Sequence, residues 1–94
     1  MDYSRSLNLI RKTIGYNCHI DTIDKNGKLV GFFIRNKLSN FFIEIYQTSV
    51  NSYTFSVCNS REYFPYMFQL SCSSMKEIIF HMKDYKDYFT LASE

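Results

Sequence analysis

Apolar positions recur along this chain with two periods, and the period changes twice. Over the first fifteen residues Tyr3, Leu7, Ile10 and Ile14 fall on one helical face, with Arg5, Asn8, Arg11 and Lys12 largely opposite. Asp2 or Ser4 can cap the start and Gly15 can supply the left-handed stop, so a short amphipathic helix is expected over about residues 4–14. From Asn17 the period falls to two. Strands are expected over about 17–24, 28–36, 41–48, 53–58 and 67–72, and residues 28–57 hold the densest run of β-branched and aromatic residues. At Ser74 the helical period returns. Ser74-Met75-Lys76-Glu77 matches a capping box, and Met75, Ile78, Ile79, Met82, Tyr85 and Phe89 form an apolar stripe running to about Tyr88.

The turns decide which side chains share a face. Leu38-Ser39-Asn40, Ser49 to Ser52 and Asn59 to Pro65 separate the later strands. Between the first two strands stands Lys25-Asn26-Gly27, and Asn-Gly is a strong hairpin signal. A two-residue Asn-Gly loop would pair Ile20 with Phe33 and mix polar and apolar residues on both faces. A three-residue loop pairs Thr22 with Val30, Ile20 with Phe32 and Cys18 with Ile34. The second register is preferred because it segregates the faces, which a one-residue slip would destroy. Cys18, Ile20, Val30, Phe32 and Ile34 then point inward. His19, Asp21, Ile23, Leu29, Gly31, Phe33 and Arg35 point outward.

The expected architecture is a two-layer α+β domain spanning residues 1–94, in the order α-β-β-β-β-β-α. Short connections suit an antiparallel meander of about five strands, with the N-terminal and C-terminal helices both on its more apolar face. With 94 residues, 46% hydrophobic and 21% charged, the chain has the composition of one globular domain rather than of a disordered segment.

Charge and candidate chemistry narrow the function classes. A formal charge of +2 is small for a dedicated nucleic-acid binder. Cys18, Cys58 and Cys72 are odd in number and lack CxxC spacing, so they read as reduced core thiols, in strands, of a cytoplasmic protein. No apolar run is long enough to span a bilayer, and the first residues lack a signal-peptide core. Adjacent Cys18 and His19 point to opposite faces of a strand and so form no nucleophile–base pair. The two histidines and three cysteines match no zinc spacing, and the glycines form no phosphate loop. Neither a catalytic residue, a metal nor a cofactor is therefore assigned. His19, Asp21 and Glu44 share the outer face, where wet strand positions account for their polarity.

That outer face is the candidate site. Ile23, Leu29, Phe33, Phe42 and Tyr46 make a partly apolar patch, and such a patch on a small domain either marks a binding or self-association surface or is covered by the N-terminal helix or the Tyr63-Phe64 loop. The expected partner surface comprises Phe33, Arg35, Phe42, Glu44, Tyr46, Tyr63 and Phe64, docking on another protein of unspecified identity. Chains of this size, rich in Tyr, Asn and Lys, fit non-enzymatic accessory proteins of viruses or mobile elements that inhibit a host protein. One alternative is nucleic-acid binding through the same aromatics or through the basic patch Arg5, Arg11 and Lys12. Another is a structural homodimer that buries the face.

Overall fold

The computed structural model describes residues 1–35, 41–59 and 66–86. The chain runs α1 (Tyr3–Ile14), β1 (His19–Lys25), β2 (Lys28–Arg35), β3 (Phe41–Ser49), β4 (Ser52–Asn59), β5 (Tyr66–Cys72) and α2 (Met75–Met82), followed by a 3₁₀ turn at Lys83–Tyr85. The strands form one antiparallel sheet in the order β1-β2-β3-β4-β5. This is the expected α+β meander with a helix at each end. The expected turn at Leu38-Ser39-Asn40, the loop around Tyr63 and Phe64, and Phe89 lie outside the described residues.

Both helices begin and end where their local chemistry directs. Asp2 caps α1, its carboxylate accepting from the Arg5 N–H at 3.0 Å. Gly15 closes α1 at φ 92° and ψ −174°, a region open essentially only to glycine, and donates its N–H to the Arg11 carbonyl at 2.8 Å. At α2 the Ser74 hydroxyl accepts from the Glu77 N–H at 3.2 Å. The Glu77 carboxylate reaches back one residue further than the standard box, accepting from the Ser73 N–H at 2.9 Å and the Ser73 hydroxyl at 2.7 Å. The regular part of α2 is shorter than expected, because it tightens at Lys83 into a 3₁₀ turn, a common helix ending.

The first hairpin corrects the expected register. Asn26 and Gly27 both have positive φ, 53° and 78°, the signature of a two-residue type I′ turn, and Lys25 pairs with Lys28 across it. The rejected loop is thus the one adopted. A bulge follows: Asp24 pairs with Leu29 but Ile23 pairs with Gly31, leaving Val30 unpaired. Beyond it Thr22 faces Phe32, Asp21 faces Phe33 and Ile20 faces Ile34. Relative to the expected pairing the strands have slipped by two residues. An even slip preserves every face, so Phe32 and Ile34 stay inward and Phe33 and Arg35 stay outward. Two assignments change. Leu29, expected outside, packs against the core, and Val30 is taken up by the bulge. Cys18 precedes β1 rather than pairing within it, and is buried all the same.

One core joins the layers. Ile10 and Ile14 from α1 and Ile78 and Met82 from α2 meet Phe32, Ile34, Ile43, Ile45, Phe55 and Val57 on the inner face of the sheet. Tyr3 stacks over Phe32 with ring centroids 6.3 Å apart. At the other end Tyr85 packs on Phe55 at 6.0 Å and on Phe68 at 5.8 Å. Among the described residues, no helix is long and apolar enough to cross a membrane.

Candidate functional site on the outer sheet face

With both helices on one side, the pleat sends alternate residues of every strand to the other. Three cross-strand rows build that outer face. The first runs His19, Arg35, Phe42, Cys58. The second runs Asp21, Phe33, Glu44, Ser56, Gln69. The third runs Ile23, Gly31, Tyr46, Thr54, Ser71. The structure therefore brings Phe33, Arg35, Phe42, Glu44 and Tyr46 together on β2 and β3. Tyr63 and Phe64 lie outside the described residues.

The centre of the face is an aromatic pair. Phe33 and Phe42 are diagonal neighbours with ring centroids 4.6 Å apart and planes 34° apart, and both are only half-buried. The Arg35 guanidinium lies over the Phe33 ring, 5.7 Å from its centroid. Asp21 sits beside it, with one carboxylate oxygen 4.0 Å from Arg35 Nη2 and the other 3.0 Å from His19 Nε2. These three side chains are about half exposed, so their ion pairing contributes little to stability. The Asp21–Arg35 contact lies on the same side as the Arg35–Phe33 stack, so Asp21, Arg35 and Phe33 form one partly exposed group. Glu44 stands apart from His19 and Asp21. Phe33 separates it from Asp21 in the row, placing it two strand spacings, or about 9.6 Å, away. The His–Asp–Glu grouping is thus a His–Asp pair and a separate carboxylate.

Toward β4 the face changes character. Ser56 and Cys58, although on the face turned away from the helices, are each 1% exposed. Burial pushes the Cys58 thiol up to about 11, and the Glu44 carboxylate adds to the shift. Burial also raises the Cys72 thiol, with Glu77 adding to it, and raises Cys18, partly opposed by Arg11. All three cysteines are buried and none is in a disulfide. Thiols held protonated at neutral pH are poor nucleophiles.

Comparison with family models, with curated proteins and with solved structures returns no match. The site's own geometry is thus the basis for a functional reading.

The basic residues of α1 have different surroundings. Arg11 donates from Nη1 to the Cys18 carbonyl at 2.7 Å and lies 6.0 Å from the Tyr16 ring centroid, tying the helix end to the approach of β1. Arg5 lines a hollow of about 290 Å³ with Asp2, Ser6, Tyr53, Met75 and Lys76, between the starts of the two helices. Lys12 is exposed in the last turn. The arginine–ring–carboxylate stack around Arg35 was not foreseen. Its signal was available in the spacing Asp21-x11-Phe33-x-Arg35, which an antiparallel pairing of Asp21 with Phe33 converts into contact.

Proposed function

We propose that this protein is a non-enzymatic binding module that docks the outer face of its sheet on another protein. The observation carrying this reading is the half-buried Phe33–Phe42 pair, clasped by Arg35, on the face opposite both helices. Binding hot spots have this composition: aromatic and arginine side chains at the centre and charged groups at the rim. Here the rim carries His19, Asp21 and Glu44, so a fitting partner presents an apolar hollow flanked by charges of both signs.

Size favours a modest interface. Five strands at about 4.8 Å by about seven residues at 3.3 Å give a face of roughly 550 Å². That suits the low end of specific complexes, about 800 Å² per partner or less, rather than a larger and more apolar obligate dimer. Nucleic-acid binding draws less support, since Arg11 is engaged by the Cys18 carbonyl and Arg35 is paired with Asp21. The chain's size and its Tyr-, Asn- and Lys-rich composition support a role as a viral or mobile-element accessory protein that occupies a host protein's surface.

The test is crosslinking capture in the native host cell with the wild-type chain and with Phe42→Ala and Tyr46→Ser. A partner lost by the folded variants supports the reading. Capture of the same proteins by folded variants refutes it. Loss of binding that tracks salt steeply would assign phosphate contacts instead.

A further inference from the structure

Away from that face, three unlike donor side chains converge where β5 hands over to α2. Glu77 and His81 are four residues apart on α2 and so share a face one turn apart. Cys72 ends β5, and only Ser73 and Ser74 separate it from the helix. The Cys72 sulfur, a Glu77 carboxylate oxygen and a His81 ring nitrogen all lie within 4.8 Å of one another. Cys72 is buried, and Glu77 and His81 are half-buried.

We propose that Cys72, Glu77 and His81 form a binding site for a zinc-class divalent cation, with three ligands from this chain and a fourth position open. The donor set argues for the cation's class. Thiolate, imidazole and carboxylate together suit zinc, whereas magnesium and calcium take oxygen ligands. Bonds of about 2.0–2.3 Å place tetrahedral donors roughly 3.3–3.8 Å apart, so the cluster needs to close by about 1 Å, which side-chain rotation supplies. The carboxylate is already oriented. Ser73 donates to its Oε2 from both its N–H and its hydroxyl, so the cap does not use Oε1. The cation also answers a mismatch of charge, because a thiol beside a carboxylate gains nothing from ionising until a positive ion joins them. On binding, the Cys72 proton leaves to solvent and the sulfur takes the metal in its place.

The experiment titrates the reduced, metal-free full chain with Co²⁺ and then competes with Zn²⁺. One equivalent should bind with a thiolate-to-cobalt charge-transfer band and the visible bands of four-coordinate cobalt, and zinc should displace it. Ser73→Ala should weaken binding by about 10–100-fold, and His81→Gln by more than that. Cys72→Ser should remove the charge-transfer band. His19→Gln should change nothing. Circular dichroism checks folding, and if Cys72→Ser unfolds, the helical His81→Gln variant decides. Absence of a thiolate band overturns the proposal, as does unchanged affinity in folded His81→Gln. Loss of binding in His19→Gln would move the metal to the outer face and also overturn it. Rapid His81-dependent alkylation of Cys72 in the metal-free protein would assign a thiol–imidazole pair instead.

Discussion

Phe32→Ala and Phe33→Ala alter neighbouring residues on opposite faces of β2, and their costs should separate. Phe32 is fully buried beneath Tyr3 and within the core. Truncating such a ring removes its transfer free energy and leaves a cavity, about 3–5 kcal/mol. Phe33 is half-buried, so about half of a phenylalanine's roughly 1.5–3 kcal/mol of burial is at stake. Its pairing with Phe42 adds about 0.5–1.5 kcal/mol. The sum is about 1.3–3 kcal/mol, some 2 kcal/mol below Phe32→Ala between midpoints. For a 94-residue domain with a total stability of about 5–14 kcal/mol, the first variant approaches unfolding and the second does not. Urea titration followed by far-ultraviolet circular dichroism reads the difference. With a slope near 1.5 kcal/mol/M, a loss of 4 kcal/mol lowers the midpoint by nearly 3 M. Equal costs at unchanged slope would mean that the outer face is core, and the docking surface would fall with that result.

Four other outcomes follow from particular residues. In Gly31→Ala the new Cβ would press into the Ile45 carbonyl oxygen, with the Ile45 carbonyl carbon at 3.1 Å and Tyr46 Cα at 3.2 Å; these backbone atoms cannot rotate aside, so a loss of about 3 kcal/mol or more is expected in a thermal melt. Gly27→Ala meets no atom within 4 Å but holds φ at +78°, so chemical denaturation should show a backbone cost of about 1–2 kcal/mol and no packing effect. The Cys58 thiol rises from its usual 9.0 to about 11, so the stability it contributes is complete below pH 9 and drains as pH climbs toward 11; the stability gap between wild type and Cys58→Ala should shift by about 2 kcal/mol across that window. Glu77 shifts oppositely. Hydrogen bonds from the Ser73 N–H and hydroxyl hold its carboxyl below the ordinary range, so its contribution is present above that range and is lost as pH falls through the folded value; Glu77→Gln should flatten the acid limb of a pH–stability profile.

What could be read from residues alone was what neighbours in sequence decide. The cap at Asp2, the stop at Gly15 and the Ser74 box are local, and they stand where their side chains put them. Strand order was legible because few residues separate each strand from the next in sequence. The loop of the first hairpin was not. Segregating apolar residues fixes only the parity of a register, and a two-residue turn plus a bulge at Val30 has the same parity as a three-residue loop. That is why Phe33 and Arg35 were placed on the correct face through incorrect partners. The burial of Ser56 was hidden because small side chains are covered according to the size of those around them, not their own polarity. The meeting of Cys72 with His81 depends on the angle at which α2 leaves β5, and no periodicity encodes that angle.

The consecutive order of the strands bears on how this chain assembles. Each pairing joins segments adjacent in sequence, so the sheet can grow hairpin by hairpin at little loop-closure cost. The helical layer is different. α1 and α2 pack against each other across all five intervening strands, so their contact closes a long loop and waits for α2. Until then the inner face through Phe32, Ile34, Ile43, Ile45 and Phe55 has only α1 to cover it. Chains truncated before Met75 should thus aggregate more readily than chains that include α2, which completes the cover of that face.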